Sequence, residues 1–189
     1  MNTFDESSHT YMMAGRSVPS VTQIISEVLP HHQWATEWHM HRGQQIHKAA
    51  ELIAQGKLPV VDEAIEGHVE GLRRFFSKEV STVITTERQV YSKRMRYAGT
   101  LDLIAYLGTV GLAVVDYKSS GCEVRTALQM CAYVEALREE IPASDVPKYG
   151  VAVFLPGDGT YKCRTVKLAE YVNKWRAVLS VYRIMQMAE

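Results

Sequence analysis

The strongest constraint on the fold is a long apolar segment, residues 97–118, that contains a turn signal near its centre. Two apolar runs, 97–107 and 111–118, are separated by Gly-Thr-Val-Gly at residues 108–111. Short apolar runs bounded by turn residues are typical of buried strands, and strands that are apolar on both faces lie in the interior of a sheet. The segment therefore predicts a central β-hairpin in a sheet that is covered by helices.

The charged residues inside this hairpin are the most informative feature of the sequence. Asp102 and Asp116 each lie seven residues from position 109, so a hairpin that closes there places them opposite each other, with Cβ atoms roughly 5 Å apart. Lys118 shares the face of Asp116, whereas the Tyr117 side chain points to the other face. Two buried carboxylates at this distance repel each other, and a divalent cation between them would offset the repulsion. The alternative is a solvent-exposed hairpin end with ordinary Asp–Lys pairs.

The remainder of the chain predicts alternating groups of helices and strands. Residues 1–19 are polar and predict an irregular segment. In the second helix, Gly43 is expected to interrupt the helix and Gly56 to cap its C-terminal end. The expected helices are 20–29, 33–55, 62–80, 124–138 and 168–187, and the further strands are 82–91, 148–155 and 160–166.

This order predicts an α/β fold with a mixed central sheet flanked by helices. We expect one domain over residues 1–189, made of an N-terminal helical part (1–60), a sheet core (82–166) and a C-terminal helix (168–187).

Composition restricts the possible functions only weakly. Lysine and arginine together number 21, as do aspartate and glutamate, and this zero net charge counts mildly against a nucleic-acid partner. Positive charge is nevertheless concentrated locally, either as part of a binding surface or as an ordinary solvated face. The two basic clusters are Lys93, Arg94 and Arg96, and Arg73 and Arg74.

The sequence also indicates a compartment and argues against some metal sites. The N-terminal residues lack a basic region followed by an apolar one, and no apolar run is long enough to cross a membrane, so we expect a cytoplasmic protein without membrane partners. The three cysteines, Cys122, Cys131 and Cys163, form no CxxC pair, which argues against a disulfide framework and a cysteine-held metal. A zinc site made from His31, His32, His39 and His41 is a weaker alternative, because their spacing does not match a typical zinc pattern.

Three further features accompany the aspartate pair. Gln129 and Tyr133 are four residues apart on the helix that follows the hairpin, so they share one helix face. His47 lies on the long N-terminal helix. Gly99, just before Thr100 and Asp102, allows another group to approach the backbone closely.

This series of residues resembles the motif set of a known nuclease family. Arg42, Gly43 and His47 form RGxxxH, residues 99–102 form GTLD, residues 116–118 form DYK, and Gln129 and Tyr133 form QxxxY. The set resembles the PD-(D/E)XK nuclease superfamily and, within it, the RecB-like branch, which includes phage and mitochondrial single-strand exonucleases. The resemblance implies a restriction-endonuclease-like αβββαβ core.

The resemblance also implies roles for individual residues. Asp102, Asp116, the backbone carbonyl of Tyr117 and His47 would hold one or two Mg²⁺ or Mn²⁺ ions. Lys118 would orient or activate the attacking water and stabilise charge on the phosphate, and Gln129 and Tyr133 would position the nucleic acid and the active-site groups. The cysteines that hold an iron–sulfur cluster in some RecB-like relatives are missing here, so no cluster is expected.

The implied function is a metal-dependent DNA exonuclease that acts at DNA ends or on single strands in replication, recombination or repair. Phage or host recombination proteins are the expected partners, in the host cytoplasm if the chain is phage-encoded. Substrate contacts are expected from Arg42, Lys93, Arg94 and Arg96. Trp34 and Trp38 are further candidates, but their i, i+4 spacing favours core positions over substrate contacts. The alternatives are a structure-selective endonuclease of the same fold and a non-catalytic nucleic-acid-binding module.

Overall fold

The computed structural model describes residues 2–5, 8–30, 37–119 and 123–187. Five helices are α1 (Val21–Val28), α2 (Glu37–Ala54), α3 (Glu63–Glu79), α4 (Glu123–Leu137) and α5 (Val172–Met187). Eight strands are β1 (Asn2–Asp5), β2 (Thr10–Met13), β3 (Arg16–Val18), β4 (Val80–Ser92), β5 (Tyr97–Leu107), β6 (Gly111–Lys118), β7 (Tyr149–Phe154) and β8 (Lys162–Lys167). In the described ranges, no helix combines the length and apolar character that a membrane crossing needs.

The central sheet is mixed and has the strand order β4-β5-β6-β7-β8. All neighbouring strands are antiparallel except β6 and β7, which are parallel. A parallel pair needs a crossover connection, which α4 provides. The order α3-β4-β5-β6-α4-β7 is the predicted αβββαβ arrangement, so the predicted fold class is confirmed.

Helices cover both faces of this sheet and bury its central hairpin. On one face, an apolar cluster joins the sheet to α1, α4 and α5 and includes Tyr97, Leu128 and Trp175. On the other face, a second cluster joins the sheet to α2 and α3 and includes Ile46 and Leu72. Strands β5 and β6 begin and end at the predicted residues because their side chains are buried on both sides.

The prediction of an irregular N-terminal segment is wrong. Strands β1, β2 and β3 form a separate antiparallel sheet, and its buried residues Tyr11 and Val18 pack against Tyr91 and Ala98 of the central sheet. The Tyr11 hydroxyl also lies 2.8 Å from the Thr100 hydroxyl on β5. These strands have three or four residues each, which is too short for an alternating pattern to stand out among polar neighbours.

The predicted interruption of α2 at Gly43 is also wrong, because the helix continues through that residue. One glycine costs a helix only about 1 kcal/mol relative to alanine, and α2 buries Ile46, Ala49 and Ala50. The predicted cap is confirmed, since Gly56 has a positive φ of 73°. The N–H of residue 57 bonds to the carbonyl of residue 52, and that of residue 56 to the carbonyl of residue 53, which is a Schellman motif. The expected start of this helix near residue 33 lies outside the described residues.

Helix α3 packs very closely on the turn between β7 and β8, and glycine makes this possible. A Cβ atom on Gly67 would lie 1.8 Å from the carbonyl oxygen of Gly157. The Gly159 N–H also donates to the Gly67 carbonyl at 3.1 Å. In contrast, a Cβ atom on Gly43 would meet no described atom within 4 Å outside its own helix and chain neighbours.

The same substitution at these two helical glycines should have opposite effects on stability. We expect Gly67→Ala to lower the free energy of unfolding by about 1–3 kcal/mol, because backbone must move to admit the methyl group. Gly43→Ala should raise it by about 0.5–1 kcal/mol through higher helix propensity. Urea denaturation of both variants measures the two effects. Equal stabilisation by both changes would contradict the close contact between α3 and the turn.

Candidate active site

The two aspartates of the central hairpin face each other, as their symmetry about residue 109 predicts. The β5–β6 ladder reaches Leu103 opposite Val115, and one residue further the same register sets Asp102 opposite Asp116. Only 8% of Asp102 and 1% of Asp116 is exposed. The Tyr117 backbone N–H donates a hydrogen bond of 3.0 Å to Asp102 Oδ2, which fixes one oxygen of that carboxylate.

Asp116 is a buried carboxylate whose close cationic neighbour is Lys118. Lys118 Nζ lies 2.8 Å from Asp116 Oδ2, yet neither oxygen of Asp116 accepts a well-directed hydrogen bond from any residue that the structure describes. The pKa of Asp116 is raised to about 6, chiefly by burial, with Lys118 opposing the shift and Asp102 adding to it. A buried carboxylate of this kind is unfavourable unless something else satisfies its oxygens.

Lys118 is held as a charged ammonium group. Burial alone would lower the pKa of Lys118, but Asp116 and Asp102 outweigh that effect and raise it above its usual value. Its Nζ also donates to Gln129 Oε1 at 3.3 Å.

His47 reaches this pair from α2. Its Nδ1 lies 3.3 Å from Asp102 Oδ1. Burial opposes a charged imidazolium here, but the Asp102 carboxylate prevails and raises the pKa of His47 to about 9. Burial would raise the pKa of Asp102, whereas His47, Lys118 and the Tyr117 N–H hold it below its usual value.

Gln129 and Tyr133 lie on one face of α4 and extend the polar cluster. Gln129 Nε2 donates to the Tyr133 hydroxyl at 2.9 Å, so a chain of contacts runs from Asp116 through Lys118 and Gln129 to Tyr133. The Tyr133 ring packs on Gly99, where a Cβ atom would lie 2.5 Å from ring atom Cε1. This ring is therefore the group whose close approach Gly99 permits.

The Tyr117 side chain lies in the apolar cluster on the face of the sheet that α2 and α3 cover, with its ring 6.0 Å from the His47 ring between centroids. Its ring packs at a centroid distance of 6.3 Å from the rings of both Phe75 and Phe76 on α3.

Glu87 is a further acidic residue of this cluster that the sequence interpretation missed. The β4–β5 ladder pairs Thr86 with Leu103 and Arg88 with Leu101, so Glu87 lies opposite Asp102 on the other neighbouring strand. Glu87 is exposed, but partial desolvation of its carboxylate, together with the nearby Asp102, raises the pKa of Glu87 to about 7. The turn at residues 93–96 offered a signal, because residues 87 and 102 are equidistant from its centre.

The donor set fits a divalent cation. One imidazole and two carboxylates, from His47, Glu87 and Asp102, bring potential ligand atoms within 4.8 Å of one another. Asp116 adds two buried oxygens, of which Oδ2 is paired with Lys118 and Oδ1 has no hydrogen-bond partner among the described residues. A set dominated by carboxylate oxygens is typical of Mg²⁺ or Mn²⁺ sites.

The basic residues near the hairpin lie apart from this cluster. Lys93, Arg94 and Arg96 are exposed in the turn between β4 and β5, roughly 17 Å along the strand from Asp102, given a rise of about 3.3 Å per residue. Glu139 at the end of α4 accepts hydrogen bonds from the Lys93 and Arg94 backbone N–H groups at 2.9 and 3.2 Å. The position of this turn on the sheet is therefore fixed.

Arg42 and Trp38 form another surface pair on α2. The Arg42 guanidinium lies 4.5 Å from the centroid of the Trp38 ring, and Trp38 is 54% exposed. The interpretation of Trp38 as a core residue is therefore wrong. Trp34 and the side chains of the alternative zinc site at His31, His32 and His39 lie outside the described residues.

Comparison with known proteins identifies two curated relatives. The chain is 25% identical over 205 aligned residues to "Mitochondrial genome maintenance exonuclease 1" of Xenopus tropicalis, an alignment that covers 90% of this chain and 59% of that protein. It is 28% identical over 176 residues to the Mus musculus protein of the same name, with 76% and 51% covered. The chain thus spans between about half and three fifths of the length of these two relatives, both of which are named exonucleases. No protein-family model matches the chain.

Similar solved structures include the alkaline exonuclease LHK-Exo from Laribacter hongkongensis. Its crystal structure has a TM-score of 0.46 and 13% identity, with 89% of this chain and 87% of that chain covered. The complex of LHK-Exo with dAMP has a TM-score of 0.42 and 14% identity, with 90% and 88% covered.

The contact between Gly99 and Tyr133 can be tested by a single methyl group. We expect Gly99→Ala to displace the Tyr133 ring, to break its hydrogen bond with Gln129 and to lower the free energy of unfolding by about 1–3 kcal/mol. Gly108→Ala is the matched control, because a Cβ atom there meets no described atom within 4 Å. Denaturant unfolding compares the two variants. If both unfold like the wild-type chain, Tyr133 is not packed on Gly99.

Proposed function

We propose that this chain is a divalent-metal-dependent DNA exonuclease of the PD-(D/E)XK superfamily, RecB-like branch, that hydrolyses phosphodiester bonds at DNA ends or in single strands. The observation that carries the proposal is the buried Asp102–Asp116 pair, with Lys118 Nζ at 2.8 Å from Asp116 Oδ2. The similarity to two relatives named mitochondrial genome maintenance exonucleases supports DNA as the substrate and ends as the site of attack.

The acidic residues would act by holding the metal ion. Asp102 and Asp116, with His47 and the Tyr117 carbonyl, would bind Mg²⁺ or Mn²⁺ at the end of the hairpin. When bound, such an ion lowers the pKa of coordinated water and neutralises charge that develops on the phosphoryl group. The buried Asp116 carboxylate supports this role, because its Oδ1 has no hydrogen-bond partner among the described residues and cation binding would satisfy it.

Lys118 would contribute charge rather than accept a proton. Asp116 and Asp102 raise its pKa, which favours the charged ammonium form. A fixed ammonium beside the reacting phosphate stabilises the additional negative charge of the transition state. Gln129 would hold Lys118 in place, and Tyr133 would hold Gln129 through the 2.9 Å hydrogen bond.

Two exposed surfaces would bind the DNA strand away from the reacting phosphate. Lys93, Arg94 and Arg96 would contact phosphates from the turn between β4 and β5. The Trp38 ring beside Arg42 combines a stacking surface with a positive charge, a combination that holds single strands without sequence preference.

The experiment that tests the proposal compares DNA topologies and metal ions. Linear single-stranded, linear double-stranded and circular single-stranded DNA are incubated with the protein in Mg²⁺, Mn²⁺ or EDTA. We expect degradation of linear DNA only, and only with a divalent ion. Lys118→Ala should lower the cleavage rate about 100-fold or more while metal binding persists, because it removes one charge that stabilises the transition state.

Each alternative outcome has a distinct meaning. Cleavage of circular DNA would indicate an endonuclease of the same fold. Metal-dependent binding of DNA without any cleavage would indicate a non-catalytic binding module. Cleavage that persists in EDTA, or in Lys118→Ala at the wild-type rate, would contradict the metal-dependent mechanism.

Loss of charge from the basic turn should weaken DNA binding in a salt-dependent manner. We expect Lys93→Gln/Arg94→Gln to raise KM with kcat nearly unchanged, because these residues lie far from the reacting phosphate. The slope of log K against log salt should fall by roughly 1.4, given about 0.7 for each phosphate contact with a single strand. The measurement is binding of a labelled single strand across a salt series.

A double variant that removes two positive charges elsewhere on the surface provides the control for the loss of charge. Arg73→Gln/Arg74→Gln removes the same charge from α3, where both arginines pair with Glu70, and should leave the slope unchanged. Equal slopes for the two double variants would show that the turn is an ordinary solvated face.

A further inference from the structure

The N-terminal sheet of β1, β2 and β3 covers the part of β5 that lies between Asp102 and the basic turn between β4 and β5. The Tyr11 hydroxyl lies 2.8 Å from the hydroxyl of Thr100, two residues before Asp102. The Tyr11 ring also packs edge-on against Tyr91, two residues before Lys93, at a centroid distance of 6.1 Å. A nucleic-acid strand that reaches from the reacting phosphate to the basic turn therefore passes beside this sheet.

The register of the N-terminal sheet places Phe4 at the end of a row of apolar side chains. Phe4 is opposite Tyr11 on β2, and Tyr11 is opposite Val18 on β3. Tyr11 and Val18 are buried against the central sheet, whereas Phe4 is only partly buried. The row thus begins in the core and ends in an aromatic ring that remains accessible to solvent.

His9, in the connection between β1 and β2, extends this row with an exposed ring. The Phe4 ring stacks on Tyr11 at a centroid distance of 4.5 Å, and the His9 ring lies edge-on to Phe4 at 5.1 Å. The side chain of Asp5, next to Phe4, lies on the other face of β1 because side chains alternate along a strand. Its carboxylate accepts a hydrogen bond of 2.9 Å from the Ser8 hydroxyl. The negative charge of Asp5 is therefore directed away from the row of rings.

We infer that Phe4 and His9 form a stacking subsite for an unpaired base of the DNA strand, between the reacting phosphate and the basic turn. The inference rests on the proposed function and names the part of the substrate that the N-terminal sheet recognises. Aromatic rings, including that of histidine, hold unpaired bases by stacking, and the basic turn attracts the phosphates of the same strand. A base that is paired in a duplex is already stacked on its neighbours, so the subsite favours single strands over duplex ends.

Fluorescence of 2-aminopurine, a base analogue whose emission falls when it stacks, tests the subsite directly. The analogue is placed at successive positions of a single strand, which is bound with Mg²⁺ to the Lys118→Ala variant so that the strand stays intact. We expect the emission to fall at one or two adjacent positions. Adding His9→Asn to this variant should restore the emission there and raise the Kd for the single strand about fivefold or more, while the Kd for a blunt duplex stays unchanged.

The substitutions are chosen so that the fold is retained. His9 is exposed and has a φ of 50°, a region of backbone conformation in which asparagine is also common. Phe4→Leu keeps an apolar side chain and should have the same effect as His9→Asn, whereas Phe4→Tyr keeps the ring and should leave binding unchanged. Tyr106→Leu removes an exposed aromatic ring near the opposite end of β5 and is the control.

The possible results separate the inference from the proposed function. Emission and Kd that do not change in His9→Asn and Phe4→Leu, or that change equally in Tyr106→Leu, would overturn the subsite and leave the proposed function intact. Equal weakening of single-strand and duplex binding would also overturn it, because stacking on an unpaired base would then not be the cause. A chain that shows the stacking signal, but whose wild-type form cleaves no linear DNA with Mg²⁺ or Mn²⁺, would contradict the proposed function alone.

Discussion

The repulsion between two buried carboxylates is the constraint on which the rest of the site depends. Asp102 and Asp116 are held opposite each other by a hairpin whose strands are buried on both faces, so the pair cannot move apart without disrupting the core. Cationic groups must therefore lie close to the two carboxylates. Lys118 is on the same strand as Asp116 and contacts it, and His47 contacts Asp102 from α2. The position of His47 depends on the packing of α2, through Ile46, Ala49 and Ala50, into the cluster that also contains α3 and the sheet.

The topology of the sheet also explains why Gln129 and Tyr133 belong to the site. Strands β6 and β7 are parallel, so the chain must cross over after β6, and α4 is that crossover. A helix that begins a few residues after Lys118 brings its first turns over the end of β6. Gln129 and Tyr133, one turn apart, then reach Lys118 and the backbone at Gly99. The relation between DYK and QxxxY in the sequence is thus a consequence of one βαβ unit.

Sequence alone predicts the parts of this protein in which local and tertiary preferences agree. The ends of β5 and β6 and their register follow from an apolar pattern and a clear turn, and Gly56 caps a helix in the expected way.

Tertiary packing determines the features that the sequence did not predict. The N-terminal strands exist because Tyr11 and Val18 find a buried surface on the sheet, and α2 continues through Gly43 because its apolar face is buried. Trp38 is exposed, and its ring lies against the Arg42 guanidinium. Glu87 was missed because its place beside Asp102 follows only from the register of β4 against β5, and the turn at residues 93–96 was not used to set that register.

The same electrostatics links metal binding to the stability of the fold. Without a metal ion, the site keeps an Asp116 carboxylate whose burial raises its pKa and a strand residue, Glu87, in a left-handed conformation. Both features cost free energy in the folded chain. A ligand that binds only the folded state stabilises it, and more so the tighter it binds. A cation bound to Asp102 and Asp116 would offset the repulsion between their carboxylates. Because the hairpin is rigid, the site would not have to rearrange, and the free energy of cation binding would not be reduced by that cost. The sheet would therefore act as a preorganised receptor, with ligand spacing set by the distance between its strands.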